Sequence, residues 1–173
     1  RIGFSPTLKI SAKAKAMRAE GIDVIDLSVG EPDFPTPKNI RDAAWAAIEG
    51  GQTTYTPAQG TLALRQAVAR KLKEDNRLDY DPKTEVIISS GAKNSLYHLM
   101  IAILNKGEEV IVPAPYWVSY PEMVTLAKGV TVTVDTKEEN GCRLTPDEFK
   151  AALSANTKAI LLNNPSNPTG SAY

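Results

Sequence analysis

The stretch Asn163-Asn164-Pro165-Ser166-Asn167-Pro168-Thr169-Gly170 follows the apolar run Ala159-Ile160-Leu161-Leu162. An aliphatic run that stops at Asn, Pro and Gly reads as a buried strand delivering polar side chains to the rim of a sheet, where open α/β sheets bind ligands. The two prolines fix φ and bias the residues before them toward extended backbone. That narrows the directions open to the Asn167 amide and suits it to a small planar ligand. The same residues also compose an ordinary Asn/Pro turn after a strand.

A second stretch, Val86-Ile87-Ile88-Ser89-Ser90-Gly91-Ala92-Lys93, has the form strand, small-residue turn, helix. Small residues let backbone amides at the helix N-terminus face an anion, and the helix dipole favours a phosphate there. The Gly-Lys-Ser/Thr ending of a nucleoside-triphosphate loop is missing, and a generic strand-to-helix turn has the same form. Trp117 follows another apolar run by a few residues, where a flat indole can stack on a planar ring. Core packing is the commoner fate of a Trp and is the one expected of Trp45. Tyr55 lies in a loop at 53–60 rather than on an apolar face, although it could pack beneath that loop. Gly30 ends an alternating run, 22–29, at a point where backbone approaches something closely or simply turns.

These residues need a scaffold. From position 85 onward, Val- and Ile-rich strands at 85–89, 109–113, 130–134 and 157–163 alternate with helical stretches at 93–104, 121–128 and 146–153. Thr145-Pro146-Asp147-Glu148 is a helix start with cap, Pro and acids in place. Strand–helix–strand repetition predicts right-handed crossovers and a mainly parallel sheet covered on both faces, an α/β three-layer sandwich. Upstream, 5–20 reads as an arm leading into a helix, 22–29 as a short strand, and 37–49 as a helix with Thr36 as N-cap and Pro37 at its first position. Leu64, Val68 and Leu72 predict a further helix to about Asn76. Arg65 and its neighbouring lysines are assigned to solvated faces or ion pairs.

Composition bounds the function. The chain has 173 residues, enough for a real core, with twenty basic and twenty acidic residues interspersed. No basic or acidic surface suggests nucleic acid or membrane as a partner. No apolar run approaches the ~20 residues that span a bilayer, and no leader is visible, so the cytoplasm is the default. The single Cys142 excludes an internal disulfide framework and suits a reducing compartment. The single His98, between Leu96 and Leu99, is assigned a structural role, because no nucleophile motif accompanies it and one His with one Cys makes a poor zinc site.

Asn-Pro-x-Asn-Pro-Thr-Gly after an aliphatic strand resembles the signature of the class I aminotransferases, fold-type I enzymes that use pyridoxal 5′-phosphate (PLP). Four further segments resemble that family in the right order: Ser28-Val29-Gly30-Glu31-Pro32-Asp33-Phe34, Tyr55-Thr56-Pro57-Ala58-Gln59-Gly60, Ser89-Ser90-Gly91-Ala92-Lys93 and Pro115-Tyr116-Trp117-Val118-Ser119-Tyr120. The resemblance implies the PLP-dependent transferase fold, with 1–35 as N-terminal arm and part of the small domain and 36–173 as the N-terminal part of the large PLP-binding domain. It implies that Gly91, Ala92 and Lys93 border the PLP phosphate, that Trp117 stacks on the ring, and that Asn167 donates to the phenolic oxygen. Gly30 would lie beside the substrate α-carboxylate, with Trp117 and Asn167 also facing substrate. Tyr55 would reach across a homodimer to the cofactor phosphate of the other subunit. Lys93 resembles the bacterial aspartate aminotransferase subgroup, where a lysine here helps bind the distal carboxylate of a dicarboxylic substrate; the arm around Ser5 and Thr7 lies near the substrate entrance in similar enzymes.

The implied reaction is transfer of an amino group from L-aspartate to 2-oxoglutarate, with amino acids and 2-oxo acids as partners. The alternatives are another PLP enzyme of the same fold (an aromatic or prephenate aminotransferase, a lyase or a synthase) or a non-catalytic PLP-binding regulatory domain. The lysine that forms the Schiff base with PLP comes, in that family, well after the Asn-Pro-Thr-Gly motif, and no lysine before Tyr173 matches it. The sequence is therefore expected to be the N-terminal portion of a longer enzyme, inactive alone, with apolar sheet edges that aggregate or stay bound to the remainder.

Overall fold

A computed structural model of the chain describes residues 6–28, 30 and 32–173. They divide into two compact units meeting at Ile88 and Ser89, and each is taken by itself.

In the first unit, helix α1 spans Pro6–Ala19, and the Arg18 guanidinium donates to the Val24 carbonyl at 3.1 and 3.3 Å. The strand expected at 22–29 is not found: 22–27 enters no ladder, and Val29 lies outside the described residues, as do Ser5 and Glu31. Ile25 and Leu27 are exposed, so alternating sequence here finds no neighbouring strand with which to pair. Helix α2 covers Lys38–Glu49 with Pro37, not Thr36, as its N-cap, and no side chain caps it. The Pro37 carbonyl instead accepts from Ile40 and Arg41 at 3.0 and 3.1 Å. Trp45, expected in the core, is 65% exposed, and no residue of α2 is buried.

Helix α3 runs Leu62–Asn76, capped by the Thr61 hydroxyl on the Leu64 amide. Arg65 corrects its assignment to a solvated face. It is buried, and its guanidinium donates to the carbonyls of Gly60 (3.2 Å), Pro82 (2.7 Å) and Lys83 (3.1 Å). Lys71 and Lys73 do form exposed ion pairs, with Asp75 and Asp79. The strand expected at 85–89 is absent as well: within this unit the Ile88 amide bonds the Gln59 carbonyl at 3.0 Å and no ladder forms. Gly60 sits against Ile88 at φ +91, where a Cβ would stand 2.7 Å from Ile88 Cβ, so glycine is what lets the 53–60 loop close on this segment.

The second unit begins with helix α4, Ala92–Ile103, and then carries strand β1 (Glu109–Ala114), helix α5 (Ser119–Leu126), strand β2 (Val130–Asp135), a single 3-10 turn at Glu138–Asn140, helix α6 (Pro146–Ala152) and strand β3 (Thr157–Ile160). The strands form a parallel sheet in the order β2-β1-β3, with Ile111 opposite Val132 and Ile160. This bears out the expected α/β class. The chain leaves β1 toward β2, then crosses back to the far side of β1. With right-handed crossovers, that reversal sends α5 and α6 to opposite faces.

Burial agrees with a sheet covered on both faces. Val110 and Val112 point into a cluster with Met100, Leu104, Tyr120, Met123, Val124, Ala127 and Leu161, and Ile111, on the opposite face, has no exposed surface either. Each such side chain contributes about 1.5–3 kcal/mol by leaving water. The predicted capping box at α6 is complete: the Thr145 hydroxyl accepts from the Glu148 amide, and the Glu148 carboxylate accepts from the Thr145 amide at 2.8 Å. The Thr145 hydroxyl also donates to that carboxylate at 2.8 Å, and the two donors, the backbone amide first and the hydroxyl second, hold the Glu148 carboxyl below its usual range.

Candidate functional site

In an open parallel sheet, ligands bind outside the carboxyl ends of the strands where the strand order reverses. Here that point lies between β1 and β3. The segments leaving those two ends are Pro115-Tyr116-Trp117 and Asn163 to Gly170, the two whose residue types had suggested planar-ring recognition.

Trp117 precedes α5 and is half-buried. Its indole packs edge-to-face on Tyr120 (centroids 5.4 Å apart, planes at 84°), and its carbonyl accepts from the Tyr120 amide at 3.0 Å. The Lys93 ammonium, from the first turn of α4, stands 4.8 Å from the indole centroid. The structure thus brings the start of α4 to the indole. Gly91 precedes α4 at φ +82, no side chain caps that helix, and the position of a glycine Cβ is open space. The first free amides of α4 therefore have room for an anion.

Asn167 lies exposed in the turn after β3. Its backbone amide donates to the Asn163 Oδ1 at 2.7 Å, and the Tyr173 amide donates to the Asn164 Oδ1 at 3.0 Å. The Gly170 amide closes the turn on the Ser166 carbonyl at 2.8 Å. Asn163 thus fixes the loop that carries Asn167, a role the sequence reading missed; an Asn four residues ahead of the functional one was the available signal. The Asn167 side-chain amide has no protein partner among the described residues. A cavity of about 20 Å³ between Tyr116, Tyr120, Leu161, Asn163 and Asn167 joins the two loops. It holds about one water, so it is a seam rather than a ligand's seat.

The remaining sequence-predicted residues, Gly30 and Tyr55, belong to the first unit. Gly30 is exposed with no heavy atom near its open side, and the Tyr55 side chain is fully exposed. His98 lies exposed on α4, its ring 5.7 Å from that of Tyr97. Among the described residues no group of His, Cys, Asp and Glu could hold a metal ion, and no helix is long and apolar enough to cross a membrane.

Comparison with known proteins decides the family. Residues 22–173 match the model of the aminotransferases of class I and II. The chain belongs to that family. This aminotransferase chain is 53% identical to an aspartate aminotransferase of Bacillus sp. strain YM-2, over 98% of its own length and 43% of the relative's. It is 47% identical to an aspartate/prephenate aminotransferase of Nitrosomonas europaea, with the same coverage of its own length and 42% of the relative's. Its fold superposes on a solved aspartate aminotransferase from Thermus thermophilus with maleate at a TM-score of 0.96 and 44% identity, covering 99% of this chain and 45% of that one. The chain thus spans less than half the length of these relatives.

The family is PLP-dependent, and the aminotransferase residues present fit that group. An uncapped helix start with an open glycine approach suits a phosphate, a half-buried indole suits a pyridine ring, and the Asn167 amide is a donor without a protein acceptor.

Proposed function

We propose that this chain supplies the coenzyme floor and part of the substrate pocket of a PLP-dependent aspartate aminotransferase, which converts L-aspartate and 2-oxoglutarate to oxaloacetate and L-glutamate. The observation that carries the reading is the meeting of the α4 start with Trp117 at the sheet's switch point, beside the Asn167 loop. When bound, PLP supplies an electron sink for breaking bonds at the amino-acid α-carbon.

The chain's own residues do the rest. The amides of Ala92 and Lys93 hold the phosphate at the positive end of α4, bordered by Gly91, whose own amide donates to the Ser89 carbonyl at 2.8 Å. Trp117 fixes the ring plane by stacking and excludes water from one face. Asn167 donates to the phenolic oxygen and favours its ionised form. The Lys93 ammonium attracts the distal carboxylate of aspartate, and Gly30 leaves room for the α-carboxylate. Tyr55 serves the partner subunit's phosphate, so the working form is a homodimer; its full exposure within one chain suits that role.

The test uses a protein of the relatives' full length that carries this chain. PLP gives it a visible band that shifts on adding aspartate, and Lys93→Ala raises KM for aspartate more than for an apolar amino acid. No bound chromophore, or equal effects on both substrates, contradicts the reading. A second reading, that prephenate also serves as a substrate, is favoured by the name of the Nitrosomonas europaea relative. A panel of oxo-acid acceptors separates the two.

A further inference from the structure

The indole of Trp117 has to keep one orientation to define a ring plane, yet it is only half-buried and stands in the irregular segment before α5. Besides its packing against the core cluster, two groups among the described residues meet its ring. Lys93 is exposed, on a long flexible stem that holds nothing still. Tyr120 is different: it is 6% exposed, packed in the cluster with Val112, Met123, Val124 and Leu161, and tied to Trp117 by the turn bond from its amide. Its ring meets the indole edge-to-face, the arrangement that aromatic quadrupoles favour.

We infer that Tyr120 is a positioning residue, whose core-anchored ring sets the plane of Trp117 and through it the plane of the bound coenzyme. The contact uses the ring, so phenylalanine can replace it and an aliphatic residue of similar bulk cannot. The inference rests on the reading of Trp117 as the stacking face, but its first half can be tested without coenzyme.

The experiment uses the full-length protein and takes as the Trp117 band the part of the near-ultraviolet circular dichroism that Trp117→Phe removes. Tyr120→Leu, Tyr120→Phe and, as a core control, Val124→Ala are compared before and after titration with PLP. Tyr120→Leu is expected to lose much of the Trp117 band in the coenzyme-free protein and to weaken PLP binding about three- to tenfold. Tyr120→Phe stays within about twofold of the parent in both, and Val124→Ala lowers the melting temperature without moving the band. The inference is overturned by a Tyr120→Leu protein with the parent's band and affinity, by a Tyr120→Phe protein that loses as much as leucine, or by a Val124→Ala protein that loses the band too. A band that responds to Tyr120 in a protein that binds no PLP upholds the positioning of Trp117 and rejects the coenzyme reading instead.

Discussion

In the unit that carries the sheet, Val110, Ile111 and Val112 have no exposed surface, whereas none of the twelve residues of α2 is buried. The first region is held by a dry core reached from both faces of β1. The unit to which α2 belongs is tied around α3 by local devices: the Arg65 guanidinium on three carbonyls and the closure of Gly60 on Ile88. The difference teaches where precision can reside. Gly91 to Lys93, Trp117 and Asn167 stand on the ends of elements fixed by that core, as the coenzyme contacts proposed for them require. Gly30 and Tyr55 stand on exposed segments, as suits the substrate and second-subunit roles proposed for them.

The contrast breaks most readily at its strongest point. Ile111→Ala removes a fully buried branched chain between β2 and β3 and should cost about 2–5 kcal/mol, read by urea unfolding of the sheet signal. Trp45→Ala, which removes a larger side chain from α2, should stay within about 0.5 kcal/mol in the same assay. Similar losses for the two would erase the distinction between the regions.

Arg65→Met sharpens the account of the first unit. It keeps the buried stem and deletes donors to the Gly60, Pro82 and Lys83 carbonyls, at a cost of about 1.5–3 kcal/mol for charge-assisted bonds. Hydrogen exchange at the Ile88 amide should accelerate with it; unchanged protection would mean that the loop is held some other way.

Thr145→Ala should cost less than Ile111→Ala or Arg65→Met, about 1 kcal/mol for a lost N-cap. Because the Thr145 bonds depress the Glu148 pKa, their contribution is fully present above the carboxylate's ordinary value of 4.5 and is lost as pH falls below it through the folded pKa. The variant keeps the Thr145 backbone donor and lacks the cap on the Glu148 amide at every pH, so its deficit should narrow in acid, where the parent loses its hydroxyl–carboxylate bond, without closing. A gap that widened on acidification would contradict the capping box.

The sheet unit was legible because its signals are local. Val- and Ile-rich runs, Thr145-Pro146 with Glu148, and Gly91 ahead of Ala92 each declare an element boundary within a few residues, and the boundaries fell within two or three positions of those expected. The misses share one cause. Whether 22–29 or 85–89 is a strand depends on a neighbour to bond with, and whether Trp45 is buried depends on a surface to cover it; neither is written in the segment itself. Arg65 was missed because a guanidinium satisfied by backbone carbonyls leaves no opposite charge in the sequence to betray it. At the candidate site, residue types identified Trp117 and Asn167, but the supports beneath them, Tyr120 and Asn163, became visible only with distances.

The most direct test is a crystal structure of the full-length protein grown with PLP. The account predicts the pyridine ring flat against Trp117, its phenolic oxygen within hydrogen-bonding reach of Asn167 and its phosphate at the amides that open α4. A ring seated elsewhere, or a rim of β1 and β3 left empty at saturating coenzyme, would contradict it.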